Sequence, residues 1–365
     1  MTGTGKGGAK KSGTAANRPK PAIEDAADST RARVRMHFSD PESLRIVHDP
    51  IHRDLSALTA RGEALFVACD ETAGVDRLTP VDGGYGNHEH FNLGDILDLP
   101  GGPEGEMDIE GLEVDADWLW VVGSQSLTRD KGDIGDLTDI DFDTNRQFLG
   151  RVPLVEGEGG PMPVAVDGTR SASALKFRKR GSLRKWFRKD PLIGPFVDIP
   201  SKENGLDVEG MVASGDRIWI GLRGPVLREW AVIVEMEMKL PKKGRLKPRR
   251  IDGKRRYRMH LIPAGGQGIR DLERDGDDIL VLTGPVTAGD GASAILRWTD
   301  ALSCMDSGQR AVQKVVDIPY KGPVDHAEGL LKRPDGRFLL VYDSPAPDRV
   351  SDDPPWVEGD MVELK

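Results

Sequence analysis

Cysteine is almost missing from this chain of 365 residues, which contains only Cys69 and Cys304. Without a CxxC pair, the sequence excludes a disulfide scaffold and a zinc site built on thiolates. No run of about 20 apolar residues occurs, so we expect no membrane-spanning helix. The N-terminal region lacks the apolar segment of a secretory signal, and we therefore expect a cytoplasmic protein.

Aromatic residues are also scarce, at 5% of the chain, so the core must be built mainly from aliphatic side chains. Glycine (44) and proline (25) are abundant instead, which is typical of a fold with many tight turns. The net charge of −9 argues against a dedicated nucleic-acid-binding protein.

The common catalytic motifs are missing as well. The sequence contains no Walker loop, no dinucleotide-binding glycine fingerprint, no HExxH and no Gly-x-Ser-x-Gly elbow. His88 and His90 share one face of an extended segment, which we interpret as a solvated strand face, with metal binding as the alternative.

What the chain does contain is a five-residue phrase that occurs five times. The copies are DLSAL (54–58), DIEGL (108–112), DVEGM (207–211), GIRDL (268–272) and HAEGL (326–330). In four copies an apolar strand begins seven positions after the end of the phrase, and in the fifth it begins after eight. A hairpin repeated at intervals along a chain predicts an all-β fold, the β-propeller.

The repeats predict five blades over residues 31–365. The fifth repeat ends after a third strand at 360–364, so we expect residues 33–38 to complete it and close the ring. Six blades are the alternative, if 127–195 contains a further one. We place the fourth strand of the second repeat at 196–199.

Three segments fall outside the blades. Residues 1–30 are predicted to be a disordered basic tail, because they are rich in Gly, Ala and Lys and lack apolar periodicity. Residues 176–189 contain eight Lys or Arg and predict a short helix docked on blade 2, with an anion- or partner-binding flap as the alternative. Residues 242–258 are interpreted as a solvated basic hairpin.

Equivalent positions of the repeats should meet at one end of the propeller channel. The third position of the phrase is polar in every copy: Ser56, Glu110, Glu209, Arg270 and Glu328. The end of the second strand supplies Asp70, Ser124, Arg223 and Asp343, and the first position of the last phrase supplies His326.

These residues predict a ligand site at the channel mouth. Three converging glutamates, Glu110, Glu209 and Glu328, are candidate ligands for a divalent cation such as Ca²⁺ or Mg²⁺. Arg223 and Arg270 are candidates for binding a small anionic ligand. The alternative is a purely structural network in which Arg270 neutralises Glu209 and Glu328.

The phrases DVEGM and HAEGL, with GLRGPVLR at 221–228 and YDSP at 342–345, resemble a bacterial family catalogued as domain of unknown function 3616. The resemblance covers about residues 32–350 and implies a propeller-like fold. The Asp-x-Glu-Gly phrase is more distantly similar to phytase-like esterase and calcium-dependent lactonase propellers, which implies hydrolysis of phosphate esters or lactones with a bound metal. Ser56 and Arg270 depart from that pattern, because they replace acids in two of the five repeats.

Two functions therefore remain open from the sequence. One is a polar small-molecule or metal site at the channel mouth, with metal-assisted hydrolysis of an ester or phosphoester. The other is a non-catalytic scaffold that binds a protein partner through its rim, the 176–189 segment and the basic tail.

Overall fold

The computed structural model describes residues 32–39, 51–103, 105–129, 136–177, 181–239, 245–251, 255–287, 289, 291–303 and 311–364. The predicted tail, 1–30, lies outside these residues.

The described chain is predominantly β-structure, as the turn-rich composition predicts. The first half contains β1 (Arg33–His37), β2 (Leu55–Arg61), β3 (Ala64–Cys69), β4 (Gly74–Val81), β5 (Gly84–Asn92), β6 (Ile109–Asp115), β7 (Trp118–Gly123), β8 (Thr128–Arg129), β9 (Ile140–Asp141), β10 (Leu149–Gly157), β11 (Gly160–Pro163), β12 (Val166–Asp167), β13 (Arg170–Ser171) and β14 (Ser173–Ala174). The second half contains β15 (Asp207–Ser214), β16 (Arg217–Leu227), β17 (Trp230–Lys239), β18 (Lys247–Pro248), β19 (Arg258–Pro263), β20 (Gly268–Asp275), β21 (Asp278–Gly284), β22 (Ser293–Trp298), β23 (Val312–Ile318), β24 (His326–Lys332), β25 (Phe338–Asp343), β26 (Val350–Asp352) and β27 (Pro355–Val362).

Helical structure is limited to short segments. The α-helix α1 covers Leu183–Phe187. The 3-10 helices are Ile51–Arg53, Leu93–Asp95, Asp136–Thr138, Thr144–Gln147, Gly194–Phe196 and Ser201–Glu203. Among the described residues, none of these helices is long and apolar enough to cross a membrane.

Each copy of the repeated phrase forms the first strand of an antiparallel hairpin. The five hairpins are β2–β3, β6–β7, β15–β16, β20–β21 and β24–β25. The first strands pack beside one another in cyclic order, β2–β6–β15–β20–β24 and back to β2. Equivalent positions of the five phrases therefore face a common centre.

Further strands extend each hairpin outward into a sheet. One sheet runs β6–β7–β10–β11 with β14 also on β10, a second runs β15–β16–β17–β18 with β19 also on β17, and a third runs β20–β21–β22–β23. The first and fifth hairpins belong to a nine-stranded sheet, in which β5, β1 and β27 are consecutive neighbours. This is a propeller-like, all-β arrangement.

Strand β1 joins the two ends of the described chain. It pairs antiparallel with β27, from Arg33 opposite Asp360 to His37 opposite Trp356. It also pairs parallel with β5. The predicted partner of β1 was 360–364, but β1 pairs with 356–360. The reason is that β27 starts at Pro355, directly after the turn that contains Asp353 and Pro354.

One predicted outer strand is wrong. Residues 196–199 contain the end of the 3-10 helix Gly194–Phe196 and the turn after it, and they form no strand. Pro195 occupies the first turn of that helix and has no N–H to donate to a β-ladder. The outer positions of this sheet are instead filled by β11 and β14, which both pair with β10.

The hydrophobic core lies between neighbouring sheets. The short helix α1 contributes Leu183, Trp186 and Phe187 to the cluster formed with the second and third hairpins. Ser182 occupies the N-cap position of this helix, but its side chain makes no capping hydrogen bond. Burial of the three apolar side chains docks the helix, together with hydrogen bonds from the buried Arg184 to backbone carbonyls outside it.

Candidate functional site

A β-bulge interrupts every one of the five hairpins at the third position of the repeated phrase. In chain order, the residues left out of the pairing are Ser56, Glu110, the pair Glu209 and Gly210, Arg270 and Glu328. A bulge leaves one residue unpaired and turns its side chain away from the regular alternation of the strand. The same local irregularity thus presents five polar side chains at the centre of the molecule.

These five side chains line one cavity of about 430 Å³, called the central cavity below. Asp70, Arg223, His326 and Asp343 also line it. Ser124 does not. Its side chain is fully buried and its Oγ lies 2.9 Å from the Oγ of Ser126, which does line the cavity. The structure therefore brings nine of the ten sequence-predicted residues around the cavity and places Ser124 behind its wall.

Arg270 and Glu209 form a buried ion-pair network at the centre of the cavity wall. The Nη1 of Arg270 donates to both carboxylate oxygens of Glu209 at 3.0 Å, and its Nη2 bonds Glu328. Arg223 approaches Glu209 from the next strand, with its Nη1 donating to Oε1 at 3.1 Å. Glu209 is 1% exposed, so two guanidinium groups compensate one buried carboxylate.

Glu110 has no such compensation. Its carboxylate makes no hydrogen bond or ion pair with any other residue that the structure describes, and Arg270, already bonded to Glu209 and Glu328, attracts it only at longer range. Burial, and then the negative charges of Glu209, Asp108 and Asp207, raise its pKa well above the ordinary range of a glutamate. Proton uptake is one way to remove this uncompensated charge, and a bound cation is the other.

Asp70 is in a similar situation on the adjoining part of the wall. Its pKa is raised well above the ordinary value by burial and by the neighbouring carboxylates Asp108, Asp343 and Asp54. No described cation forms an ion pair with it. Two uncompensated carboxylates therefore face the same cavity.

Three other acids of the cavity differ in the direction of their pKa shift, according to their neighbours. Burial raises the pKa of Asp207 and of Glu328 well above the ordinary range, even though Arg223 and Arg270 respectively act in the opposite direction. For Asp343, burial is outweighed by the nearby His326, by the hydrogen bond of Ser344 and by the charge of Arg270, so its pKa is lowered. The Nδ1 of His326 lies 4.0 Å from Asp343 Oδ2.

The cavity also contains functional candidates that the repeats do not reveal. Arg146 lies in the 3-10 helix Thr144–Gln147 and bonds Glu106, while its Nη1 donates to Ser126 Oγ at 3.2 Å. Its Nε lies 3.5 Å from Asp108 Oδ2. Arg146 lies between β9 and β10, outside the repeated phrase and its hairpin, so no comparison of equivalent positions could have identified it.

A metal centre is not formed by these side chains as they stand. Among the residues that the structure describes, no group of three or more His, Cys, Asp or Glu is arranged to hold a metal ion. Glu209 and Glu328, two of the three predicted metal ligands, are bonded to Arg270. Direct coordination by Glu110, Glu209 and Glu328 remains a prediction from the sequence.

A second polar cluster lies on the first sheet, away from the bulges. The predicted solvated face of His88 and His90 is wrong, because both rings are directed at Asp76. Asp76 Oδ1 lies 2.7 Å from His88 Nε2 and 2.8 Å from His90 Nδ1. The side chains of Asp76 and His88 are 0% and 1% exposed, so this is a buried structural cluster.

Several solved structures are similar to this chain at low sequence identity. Glutaminyl cyclase from Myxococcus xanthus is 9% identical with a TM-score of 0.39, covering 92% of this chain and 99% of its own. A putative oxidoreductase (glucose dehydrogenase) from Thermus thermophilus is 11% identical with a TM-score of 0.38, covering 86% and 98%. Virginiamycin B lyase from Staphylococcus aureus is 10% identical with a TM-score of 0.33, covering 89% and 73%. At these values the similarities carry no argument about activity.

No curated protein matched the chain. The family described as "Protein of unknown function (DUF3616)" matches residues 54–359, which include all five hairpins. This match confirms the resemblance predicted from the repeated phrases, with the matched region beginning and ending somewhat later than expected. The chain belongs to the DUF3616 family.

Proposed function

We propose that the central cavity binds a small ligand through a positively charged group. The observation that carries this proposal is Glu110, a carboxylate in the cavity wall that makes no hydrogen bond or ion pair with a described residue. Asp70 adds a second carboxylate without a described ion-pair partner. A bound cation would offset the burial and the neighbouring negative charges that raise the pKa of both.

The overall charge of the lining supports a cation rather than an anion. Twelve Asp or Glu residues line the cavity, against six Lys or Arg. The two arginines predicted to bind an anion, Arg223 and Arg270, already donate to Glu209. An incoming anion would have to compete with that buried carboxylate for both of them.

The charged group could belong to a hydrated divalent cation or to a protonated amine, since both are attracted by the same carboxylates. Metal-assisted hydrolysis of an ester or phosphoester, and the scaffold function that was its alternative, both stay predictions from the sequence. A small anionic ligand would require the Arg270 network to open.

We further infer that the five hairpins are five blades of one closed propeller. The cyclic packing of β2, β6, β15, β20 and β24 supports this count. The pairing of β1 with both β27 and β5 supports closure at the junction of the first and last blades.

Isothermal titration of the purified protein with Mg²⁺, Ca²⁺ and spermidine tests the ligand proposal. We expect at least one of these cations to bind, and Glu110→Gln to weaken that binding about tenfold, which corresponds to about 1.4 kcal/mol. Glu156→Gln is the matched control, because it removes the same charge from a side chain that is 68% exposed on the second sheet. Comparison of the metal ions with spermidine shows whether the cavity prefers a divalent metal cation or a protonated amine. The proposal fails if none of the three binds, or if both variants bind like the wild type.

A further inference from the structure

A second cavity, of about 730 Å³, lies on the flank of the second and third sheets. It is called the basic pocket below. Its charged lining residues are Lys176, Lys239, Arg245, Lys247, Arg249, Arg250 and Arg256, and its other lining residues are Leu175, Gly181, Trp186, Leu246 and Pro248. The basic segments 176–189 and 242–258, which are far apart in the sequence, thus contribute to one concave surface.

Backbone hydrogen bonds fix the shape of the basic pocket. Leu246 N donates to Ala174 O at 3.1 Å and bridges Leu175, which joins the two segments. Strand β18 pairs with the end of β17, and Arg249 N donates to Glu237 O at 2.6 Å. The cationic side chains therefore project from a backbone that is already in place, which lowers the entropic cost of binding a ligand.

The positive charges of the pocket are mostly uncompensated. Arg249 pairs with Glu237 at 2.7 Å and with Asp216 at 3.2 Å. The other six charged residues of the lining make no ion pair with a described residue. Lys239 and Lys247 even lie directly opposite each other in the β17–β18 pair, a like-charge arrangement that destabilises a sheet. A bound anion would remove this repulsion.

The floor of the pocket is apolar. Leu175, Leu246 and Trp186 are 5%, 1% and 8% exposed, and the guanidinium of Arg256 lies 5.0 Å from the centre of the Trp186 ring. A ligand that fits this surface combines several negative charges with a flat or apolar part. The volume lies within the range of about 300–1,000 Å³ that is usual for small-molecule sites.

We propose that the basic pocket binds a small organic phosphate that carries at least two phosphate groups. Guanidinium groups match the geometry of phosphate oxygens, and the six uncompensated cations match a multiply charged ligand. A small ligand fits better than a nucleic-acid strand, because the cations surround one concave pocket rather than forming a stripe, and the chain as a whole carries a charge of −9. The proposal is independent of the ligand of the central cavity.

Titration of the full chain with ATP, and separately with inorganic tripolyphosphate, tests this inference at physiological ionic strength. We expect ATP to bind the wild type, and to bind more tightly than tripolyphosphate because its organic part covers the apolar floor. The variant Lys247→Glu/Arg250→Glu should weaken ATP binding at least tenfold. Both side chains are exposed, so the fold should survive, and thermal unfolding of the variant checks this.

The matched control is Lys314→Glu/Arg337→Glu, which reverses two charges on side chains that are 56% and 43% exposed and distant from the pocket lining. It should bind ATP as the wild type does. The single variant Arg245→Glu provides a second test on the same pocket, with an expected loss of several-fold. The inference is overturned if ATP does not bind, if the control loses affinity as much as the pocket variant, or if a single-stranded oligonucleotide or an anionic lipid vesicle binds through these residues while ATP does not.

Discussion

At the scale of single residues, the central cavity contains two glutamates that differ in how their buried negative charge is compensated. Glu209 is deeply buried and is compensated by Arg223 and Arg270. Glu110 occupies the equivalent bulge of the neighbouring hairpin, where no described cation forms an ion pair with it. Two residues of the same type at the same repeat position therefore differ in their electrostatic surroundings, because only Glu209 is held in ion pairs.

Glu110→Gln should make the protein more stable at neutral pH. A carboxyl whose pKa is raised in the folded state contributes stability that is fully present below its unfolded pKa and is lost as the pH rises through the folded value. Glutamine removes that loss, so we expect the free energy of unfolding to increase by about 1–2 kcal/mol at pH 7. At pH 4 the variant and the wild type should be about equally stable. Denaturant unfolding at both pH values measures this, and a variant that is less stable than the wild type at pH 7 would contradict it.

Glu235→Gln should have the opposite effect. Burial of Glu235 is outweighed by hydrogen bonds from His260 and Arg217, which lower its pKa to about 2. His260 Nε2 lies 2.7 Å from Oε2, and the Nη2 of Arg217 donates to Oε1 at 2.6 Å. Removing this charge breaks the ion pair between Arg217 and a carboxylate that is 3% exposed, so we expect a loss of about 3–5 kcal/mol at pH 7.

The loss at Glu235 should shrink as the pH falls from about 4.5 towards 2, because the wild-type carboxylate is then protonated as well. Glu237→Gln is the control, since its side chain is 35% exposed and pairs with the exposed Arg249. It should cost less than about 1 kcal/mol. Chemical denaturation across this pH range gives the comparison, and equal losses for the two variants would refute the buried network around Glu235.

At the scale of the strands, the repeated bulge is what presents the polar residues to the cavity. The sequence predicts the five hairpins, because the apolar strand follows each phrase at a nearly constant distance. It does not predict the bulge, because a bulge depends on the register between two strands and not on the alignment of one strand with its repeats. Arg146 and Ser126 also line the cavity, but an alignment of the repeats does not predict this, because they lie outside the repeated phrase and its hairpin.

Gly210→Ala tests how tightly the bulge of β15 is built. Gly210 has φ +79°, and an added Cβ would lie 2.5 Å from Leu272 N and 2.6 Å from Asp271 Cα on the neighbouring first strand. We expect thermal unfolding to show a loss of about 2–4 kcal/mol, from backbone strain together with this clash.

Gly215→Ala is the matched control, because it has φ +62° in the following turn and its added Cβ meets nothing within 4 Å. It should lose only about 1 kcal/mol, the cost of the left-handed backbone conformation. If the two variants were equally stable, the close packing of the first strands at the bulge would be wrong.

At the scale of the whole molecule, strand β1 connects the beginning of the described chain to its end. The missing fourth strand of the last repeat was enough to predict that residues 33–38 would pair there. The parallel contact of β1 with β5 was not predictable, because it depends on how the first and last sheets approach each other. The basic pocket was not predictable either, because the sequence does not show that the basic segments near 176–186 and 245–256 lie side by side.

Met36→Ala should destabilise the molecule as a single unit. Met36 is fully buried and lies opposite Val357 on β27 and Tyr85 on β5. Truncation of a buried methionine costs about 2–5 kcal/mol, and closure by β1 would spread this loss over the whole propeller. Calorimetry should therefore show one unfolding transition at a lower Tm, with a smaller shift for the partly buried Val34→Ala. A second transition, or an unchanged Tm, would show that β1 frays independently.

The most direct measurement of the central claim is the number of protons released when the central cavity binds a cation. We expect calorimetric titration of Mg²⁺, Ca²⁺ or spermidine at pH 7 to give different enthalpies in Tris and in Hepes, because displacement of protons from Glu110 and Asp70 adds the ionisation heat of the buffer. The buffer-dependent part should decrease in Glu110→Gln and persist in Glu156→Gln. A cation that binds with the same enthalpy in both buffers, or a proton count that Glu110→Gln leaves unchanged, would contradict a cation site built on these uncompensated carboxylates.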